Sequence, residues 1–300
     1  MKYFFIQFFY SILKTMAENE NKTHGDIPIE FDNFDPKRVQ KVYLSELVEK
    51  SGHISKSDGY VLYNLFTEDE CKRVIDVTNE IGYESLIGYD KNFRDNLRIR
   101  CKSTTIIPEM KRRISSFINS HLTLDNNVKT LAKGNFHNDL WKFAYLNPIL
   151  RFCKYNPSNK FKRHYDSGFN PDPLTERTFK TCMVYLNEDY NGGKTRFYYY
   201  NSEYKSFLKL KAKAGMCLIF NQNIPHDGEQ VENGYKYMMR TDMIYKAVKL
   251  NRDLTEDEKK GIELYKKAHE EEQKSNFIAS TKLFEEATDL CPDAYLMINY

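Results

Sequence analysis

Residues 179–200 read FKTCMVYLNEDYNGGKTRFYYY, and this stretch decides the fold. A β-rich run that includes Thr181-Cys182-Met183-Val184-Tyr185-Leu186-Asn187 meets the turn Asn191-Gly192-Gly193, and a second β-rich run follows from Thr195. Strand, glycine turn and strand in that order specify antiparallel chain. Working outward, residues 151–155, 206–211, 215–220 and 235–246 have the same composition, punctuated by Ala214-Gly215 and Asn233-Gly234. Many short strands separated by turns, from Leu150 to Val248, indicate an all-β sandwich or jelly roll rather than βαβ units.

Flanking segments are helical. Tyr60 to Phe66 has strand composition, and Thr67-Glu68-Asp69-Glu70 is a capping box opening a helix with Cys71, Val74, Ile75 and Ile81 on its apolar stripe and Gly82 at its end. A second helix is expected from Pro108, burying Met110, Ile114, Phe117 and Ile118. Residues 17–56 are polar apart from Ile27-Pro28-Ile29 and Val42-Tyr43-Leu44, and read as an arm or linker. The expected division is an arm over 1–57, a β domain with flanking helices (α+β) over 58–248, and a helical hairpin over 251–300. In the hairpin Leu264, Ala268, Ser280, Phe284, Ala287 and Pro292 take the small and large positions of a single tetratricopeptide-like repeat. A plain hairpin packing on the β domain fits equally, since one repeat cannot stack on itself.

Forty-five basic residues against 42 acidic ones give no electrostatic case for nucleic acid or an anionic membrane. The six cysteines form no C-x-x-C pair and sit mostly in apolar runs, so they read as buried thiols of a reducing, cytoplasmic setting. Phe4 to Leu13 resembles the apolar core of a signal peptide yet is too short to span a bilayer. Two readings stay open: a true start at Met16 in the cytoplasm, or entry to the secretory pathway and ER with Asn21-Lys22-Thr23 as a sequon.

The chemistry rests on His-x-Asp, a pattern of little value alone: with 7 His and 42 acidic residues in 300, about one chance match to His-x-acid is expected. Three matches to His-x-Asp occur, at His24-Gly25-Asp26, His137-Asn138-Asp139 and His164-Tyr165-Asp166. His24 lies in the polar arm and reads as a solvated loop residue. His137 has no strand before it and reads as a satisfied loop polar group. His164 follows the strand Arg151 to Tyr155, a turn through Asn156-Pro157-Ser158-Asn159 and Phe161-Lys162-Arg163, so 164 and 166 share one face of extended chain. Two histidines and one carboxylate on one side of a metal, with the other side open, make a non-haem iron site. The third ligand must come from a distant strand, and His226 follows the buried run Met216 to Phe220. Its bland alternative is a core histidine bonded to a carbonyl.

Residues 150–245 resemble the iron(II) and 2-oxoglutarate dependent dioxygenases of the prolyl 4-hydroxylase type. The resemblance runs through Arg151-Phe152 to Tyr155, His164-x-Asp166, Thr181 to Asn187, Gly192-Gly193-x-Thr195-x-Phe197, Ala214-Gly215 with Phe220, and His226-x-Gly228-x-x-Val231-x-x-Gly234-x-Lys236. It implies a double-stranded β-helix in which His164, Asp166 and His226 hold Fe(II), with no catalytic residue beyond these ligands. It implies 2-oxoglutarate and O2 as cosubstrates, with ascorbate as a further small molecule, and hydroxylation of a C–H bond. By the same resemblance Lys236, ten positions after His226, is the cation for the distal carboxylate of 2-oxoglutarate, Tyr185 a hydroxyl donor to it, and Tyr155 a pocket wall. Arg240 keeps the strand parity of Lys236 and either touches cosubstrate or substrate or stands as a rim cation. Thr195 either lines the pocket or is an ordinary strand threonine.

A prolyl residue in a protein is the substrate the resemblance favours; another side chain, a free amino acid or a small molecule stays open. Two other classes stay open as well: a jelly roll used as a binding scaffold without catalysis, and an adaptor whose hairpin recruits a protein partner.

Overall fold

The protein is described by a computed structural model over residues 23–48, 54–119, 121–123, 140–168, 171, 175–199, 205–249, 254–274 and 276–291. The amino-terminal apolar run, the sequon residues Asn21 and Lys22, His137-Asn138-Asp139 and Pro292 lie outside the described residues. The chain divides into two compact units, one taking residues up to 118, 146–166 and 180–241, the other taking 119–145, 167–179 and those from 242 onward.

In chain order the strands are β1 (Gln40–Tyr43), β2 (Gly59–Tyr63), β3 (Glu84–Ser85), β4 (Leu97–Lys102), β5 (His121–Thr123), β6 (Leu140–Leu146), β7 (Ile149–Tyr155), β8 (Phe161–His164), β9 (Glu176–Tyr185), β10 (Asn191–Gly192), β11 (Thr195–Tyr198), β12 (Ser206–Leu210), β13 (Cys217–Asn221), β14 (His226–Gly228), β15 (Val231–Asn233) and β16 (Lys236–Lys249). Helices are α1 (Glu68–Ile81), α2 (Ile106–Ile114), α3 (Glu256–Gln273) and α4 (Phe277–Leu290).

The first unit holds two facing sheets, the jelly-roll arrangement the sequence calls for. Its major sheet runs β1-β2-β13-β9-β16-β7-β4-β3, its minor sheet β12-β11-β14-β8, and β10 pairs with β15. The core lies between them: Met183, Tyr185, Leu218, Phe220 and Met238 come from the major sheet, Phe197, Leu208 and Leu210 from the minor one, all buried. Each such side chain contributes roughly 1.5–3 kcal/mol on leaving water. Across the major sheet Met238 stands opposite Cys153 and Arg240 opposite Arg151, while Arg100 stands opposite Arg151 from the other side. Entry into β13 requires Gly215, whose φ is +73° and where a Cβ would fall 2.1 Å from Phe66 O. Its carbonyl accepts from the backbone N–H of both Leu65 and Phe66, which fixes the end of β2 beside β13.

The capping box of α1 is present: Thr67 Oγ1 accepts from Glu70 N at 3.1 Å and Glu70 Oε2 accepts from Thr67 N at 2.8 Å. Ile81 is 37% exposed, contrary to the expected stripe, and Thr78 takes the buried position, its hydroxyl donating to Val74 O. α2 starts at Ile106, not Pro108, because Ser103 Oγ accepts from Ile106 N at 2.9 Å and opens the helix two residues early. Phe117 and Ile118 lie past its end and are half-buried.

The expected arm over 1–57 is corrected for its described part. Ile27, Ile29 and Leu44 are buried, β1 pairs antiparallel with β2, and Ile29 N donates to Thr105 Oγ1. His24 is not a solvated loop residue either: its N–H donates to Arg100 O at 2.7 Å and its Nε2 lies 3.4 Å from Glu84. Anchoring comes from backbone pairing and three short apolar insertions, neither of which composition weighs. Arg113 of α2 locks this segment down, giving a bidentate pair to buried Glu70 at 2.6 and 2.7 Å, a third bond to Leu65 O, and its plane to Phe31, Phe34 and Phe66.

In the second unit β5 pairs antiparallel with β6, and Trp141, Phe143, Phe179 and Tyr245 form an edge-to-face aromatic cluster. α3 and α4 pack as the expected hairpin through small residues: Ala268, Ser280 and Ala287 are buried, and a Cβ on Gly261 would fall 2.6 Å from Cys291 Cβ. Phe284 lies between Tyr265 and His269.

Candidate metal centre

β8 and β14 are neighbours in the minor sheet, and their register sets His226 directly opposite His164. Two residues past the end of β8, Asp166 is held by its N–H donating to Gln222 O, which returns its carboxylate to the same spot. The potential ligand atoms of His164, Asp166 and His226 all lie within 4.8 Å of one another. Asp166 Oδ1 is 3.7 Å from His164 Nε2 and 3.7 Å from His226 Nε2.

Each of these groups is aimed by a second contact. His164 Nδ1 donates to Lys162 O at 2.8 Å and His226 Nδ1 donates to Ile224 O at 2.9 Å, leaving both Nε2 lone pairs facing Asp166. Asp166 Oδ2 accepts from Thr181 Oγ1 at 2.5 Å, which turns Oδ1 toward the histidines. Phe161 stacks on His164 at 3.5 Å and Phe220 meets His226 edge-on at 4.8 Å, so neither ring is free to swing. Beside His226, Asp227 accepts two bonds from Arg196 and one from Tyr198, pinning β14 to β11.

This geometry fits a divalent metal. Asp166 Oδ1 is buried and receives no hydrogen bond among the described residues, although Arg240 Nη1 approaches to 2.7 Å. Burial opposes ionisation of Asp166, but Arg240, His226 and His164 outweigh it and hold the carboxyl well below the usual 3.8. Burial pushes His226 down to about 4, so it is neutral at physiological pH and its lone pair is available. Two imidazole nitrogens and one carboxylate oxygen, converging in a cavity, are the donor set of an open non-haem iron site.

The cavity beside the triad brings together most of the residues singled out in the sequence. Lys236, Tyr155, Thr195 and Arg240 all line it. Lys236 is buried, its ammonium donating to Gly193 O at 2.7 Å and lying 5.4 Å from the ring centres of both Tyr155 and Tyr185; burial lowers its pKa to about 8. Gly193 can present that carbonyl because it takes φ +61°, with the Tyr190 ring packed where a Cβ would point. Tyr185 sits one layer back: its phenol shares a 2.6 Å hydrogen bond with Thr195 Oγ1, and Thr195 is the hydroxyl that meets the cavity. Sequence reasoning missed Thr181, Phe161 and Arg94. Thr181 stood inside a quoted strand, and parity with Met183 was the signal that would have found it; Phe161 has the opposite parity to His164 and joins it through the register shift between β8 and β14.

Residues 150–241 match the 2OG-Fe(II) oxygenase superfamily. This segment is a 2OG-Fe(II) oxygenase domain. It runs from β7 into β16 and contains the whole triad, and dioxygenation dependent on 2-oxoglutarate, Fe(II) and O2 is the chemistry of that family. The oxygenase is also similar to several solved structures. A viral collagen prolyl hydroxylase from Paramecium bursaria Chlorella virus-1, solved with 2-oxoglutarate, shares 19% identity at a TM-score of 0.41 over 62% of this chain and 94% of that one. A Pseudomonas putida prolyl-4-hydroxylase shares 15% at 0.38 over 59% and 82%. A Trichoplax adhaerens prolyl hydroxylase, in complex with a hypoxia inducible factor peptide fragment, shares 16% at 0.38 over 57% and 74%. The comparison with curated proteins gives no match. No helix among the described residues of the oxygenase is long and apolar enough to cross a membrane.

Proposed function

We propose that this oxygenase hydroxylates a C–H bond in a protein side chain, with a peptidyl proline as the first candidate. The observation that carries the reading is one cavity holding both the triad His164, Asp166 and His226 and, on the strand after the distal histidine, the buried ammonium of Lys236. The ordered set of motifs from Arg151 to Lys236, which resembles the prolyl 4-hydroxylase type, supports the choice of proline.

In this reading His164, Asp166 and His226 bind Fe(II), while Lys236 and the Tyr185–Thr195 hydroxyl pair receive the distal carboxylate of 2-oxoglutarate. Bound together, iron and 2-oxoglutarate supply the oxidising chemistry: O2 and 2-oxoglutarate are consumed, succinate and CO2 are released, and C–H becomes C–OH. The protein's part is placement. Thr181 orients the carboxylate ligand, Phe161 and Phe220 fix the imidazoles, and the apolar wall from Met183, Phe220 and Met238 keeps water from the reacting centre. Six buried free thiols favour a reducing compartment, and a cytoplasmic location is part of the proposal; a glycan found on Asn21 in cells would overturn it.

The test is anaerobic titration of the apoprotein with Fe(II) and then 2-oxoglutarate, followed by O2, ascorbate and a screen of proline-containing peptides and free amino acids. Stoichiometric iron, succinate release and an oxygen-atom mass gain on a peptide support the proposal. Failure to bind 2-oxoglutarate removes it, and turnover of a free amino acid alone moves the substrate to small molecules.

A further inference from the structure

Arg94 lines the metal cavity and belongs neither to the donor set nor to the cosubstrate site described above. Its placement is local. Asp90 O accepts from the backbone N–H of both Phe93 and Arg94 at 2.8 Å, which closes a turn. The chain then pairs with β8: Lys162 N donates to Phe93 O at 2.8 Å and Asp95 N donates to Lys160 O at 3.0 Å. Arg94 and Phe161 thereby stand directly opposite each other, and residues so paired put their side chains on one face. The guanidinium lies 4.3 Å over the Phe161 ring, and that ring stacks on the His164 imidazole at 3.5 Å. A three-layer stack ties this cation to a residue of the triad.

What the Arg94 guanidinium lacks is an anion. Its Nε donates to Asn96 Oδ1 at 2.8 Å, and it forms no ion pair among the described residues. The two carboxylates on the cavity wall are engaged elsewhere: Asp166 faces both histidines and Arg240, and Asp227 accepts two bonds from Arg196 and one from Tyr198. The terminal edge of the guanidinium is left for a ligand, and its paired N–H groups match a carboxylate in bidentate geometry. The rings of Phe161 and Tyr89, the latter 5.2 Å away, shield the charge from water and so strengthen its pull on an anion. Each layer of the stack is about as deep as one residue of extended chain is long, roughly 3.3–3.6 Å. An anion on Arg94 therefore belongs to the oxidised residue or to its immediate neighbour.

We propose that Arg94 is a specificity-determining residue of this oxygenase, receiving a carboxylate of the primary substrate that is carried by the oxidised residue or by the one beside it. This rests on the hydroxylase reading above and names a group that its substrate must carry. Two sources supply that chemistry: the side chain of an Asp or Glu adjoining the oxidised residue, or the α-carboxylate of an oxidised residue that ends its chain. Arginine suits the role because it stays charged at any physiological pH and offers its donors in a fixed fork.

The test is calorimetric binding to the full chain loaded with Mn(II) and 2-oxoglutarate without O2, using pairs of ligands that differ only in carboxylate against amide. One pair is a peptide with Pro-Glu in its interior and its Pro-Gln counterpart. A second is a peptide ending in proline, with its terminus free or amidated, and a third is free proline with prolinamide. In at least one pair the acid should bind about tenfold tighter than the amide, and the pair that shows the preference identifies the source. Arg94→Gln should bring that pair to within about twofold while 2-oxoglutarate affinity holds, and Arg94→Lys should keep part of the preference. Acid and amide binding alike in every pair, or not at all, overturns the proposal without any variant having to fold. A preference that survives Arg94→Gln overturns it too, as does a loss of 2-oxoglutarate affinity in that variant, which would make Arg94 a cosubstrate residue. The hydroxylase reading fails by a different result, absence of 2-oxoglutarate binding to the unaltered protein. A preference confined to free proline upholds the role of Arg94 and moves the substrate from proteins to small molecules.

Discussion

At the residue scale the site is a set of three donors and the contacts that aim them. His164→Ala, Asp166→Ala and His226→Ala should each abolish iron-dependent 2-oxoglutarate consumption with the fold retained, checked by metal content and circular dichroism. Thr181→Val removes the hydroxyl on Asp166 Oδ2 while keeping the side-chain shape, and should weaken Mn(II) binding by about 10–100-fold in calorimetry. Lys236→Ala should weaken 2-oxoglutarate by about 30-fold or more, since an unpaired carboxylate left in a buried site costs roughly 2–5 kcal/mol. Lys236 also sets a pH dependence. Its folded pKa of about 8 lies below the ordinary 10.5, so the ammonium is lost as pH rises through about 8 and cosubstrate affinity should fall near tenfold per unit above it. Stability moves the other way, because the unfolded chain binds more protons between those two values, so stability rises with pH across that window. Lys236→Arg should flatten the affinity profile; an unchanged profile would remove Lys236 from the cosubstrate site. That His164, Asp166 and His226 converge, and that Lys236 lines the same cavity, was legible because an ordered set of short motifs carries all four residues. Thr181, Phe161 and Arg94 were not, because their roles exist only once a strand's inward face and its neighbours are known.

At the scale of elements, turns and caps carry the arrangement. Gly215→Ala puts a Cβ against Phe66 O at a left-handed φ, and should cost about 2 kcal/mol or more in urea unfolding while sparing the donor set itself. Thr67→Ala deletes one side of the α1 capping box and should cost about 1 kcal/mol by the same measurement. Helix α1 and its cap were readable because the capping box is a local signature. The start of α2 was not, since Ser103 caps it from a stretch with no helical periodicity. Strand β4 alternates Leu97, Ile99 and Cys101 with Arg98, Arg100 and Lys102, a pattern present in the sequence but overshadowed by its charge.

At the scale of the whole molecule, the segment from 23 to 48 belongs to the first unit rather than preceding it. It contributes β1, buried Ile27, Ile29 and Leu44, and the aromatic rings of Phe31 and Phe34 around Arg113. Arg113→Ala should cost roughly 3–5 kcal/mol, because Glu70 is then left buried and charged. A chain beginning at Ser51 should unfold at markedly lower urea than one beginning at Met16, whose retained residues include the whole anchored segment. Equal midpoints would restore this stretch to the status of a linker. The sandwich was legible from alternation and glycine turns. The docking of this segment was not, since edge pairing draws on backbone groups that every residue carries.

Two imidazoles and a carboxylate rank the late first-row divalent ions above iron, with nickel, copper and cobalt all gripping such a set more strongly than Fe(II). Occupancy is thus set by supply, and protein recovered from a nickel-chelating resin should emerge mis-metallated and inert. Stripping with a chelator and refilling with Fe(II) under nitrogen should restore turnover, and trace Co(II) or Ni(II) in the assay should silence it again.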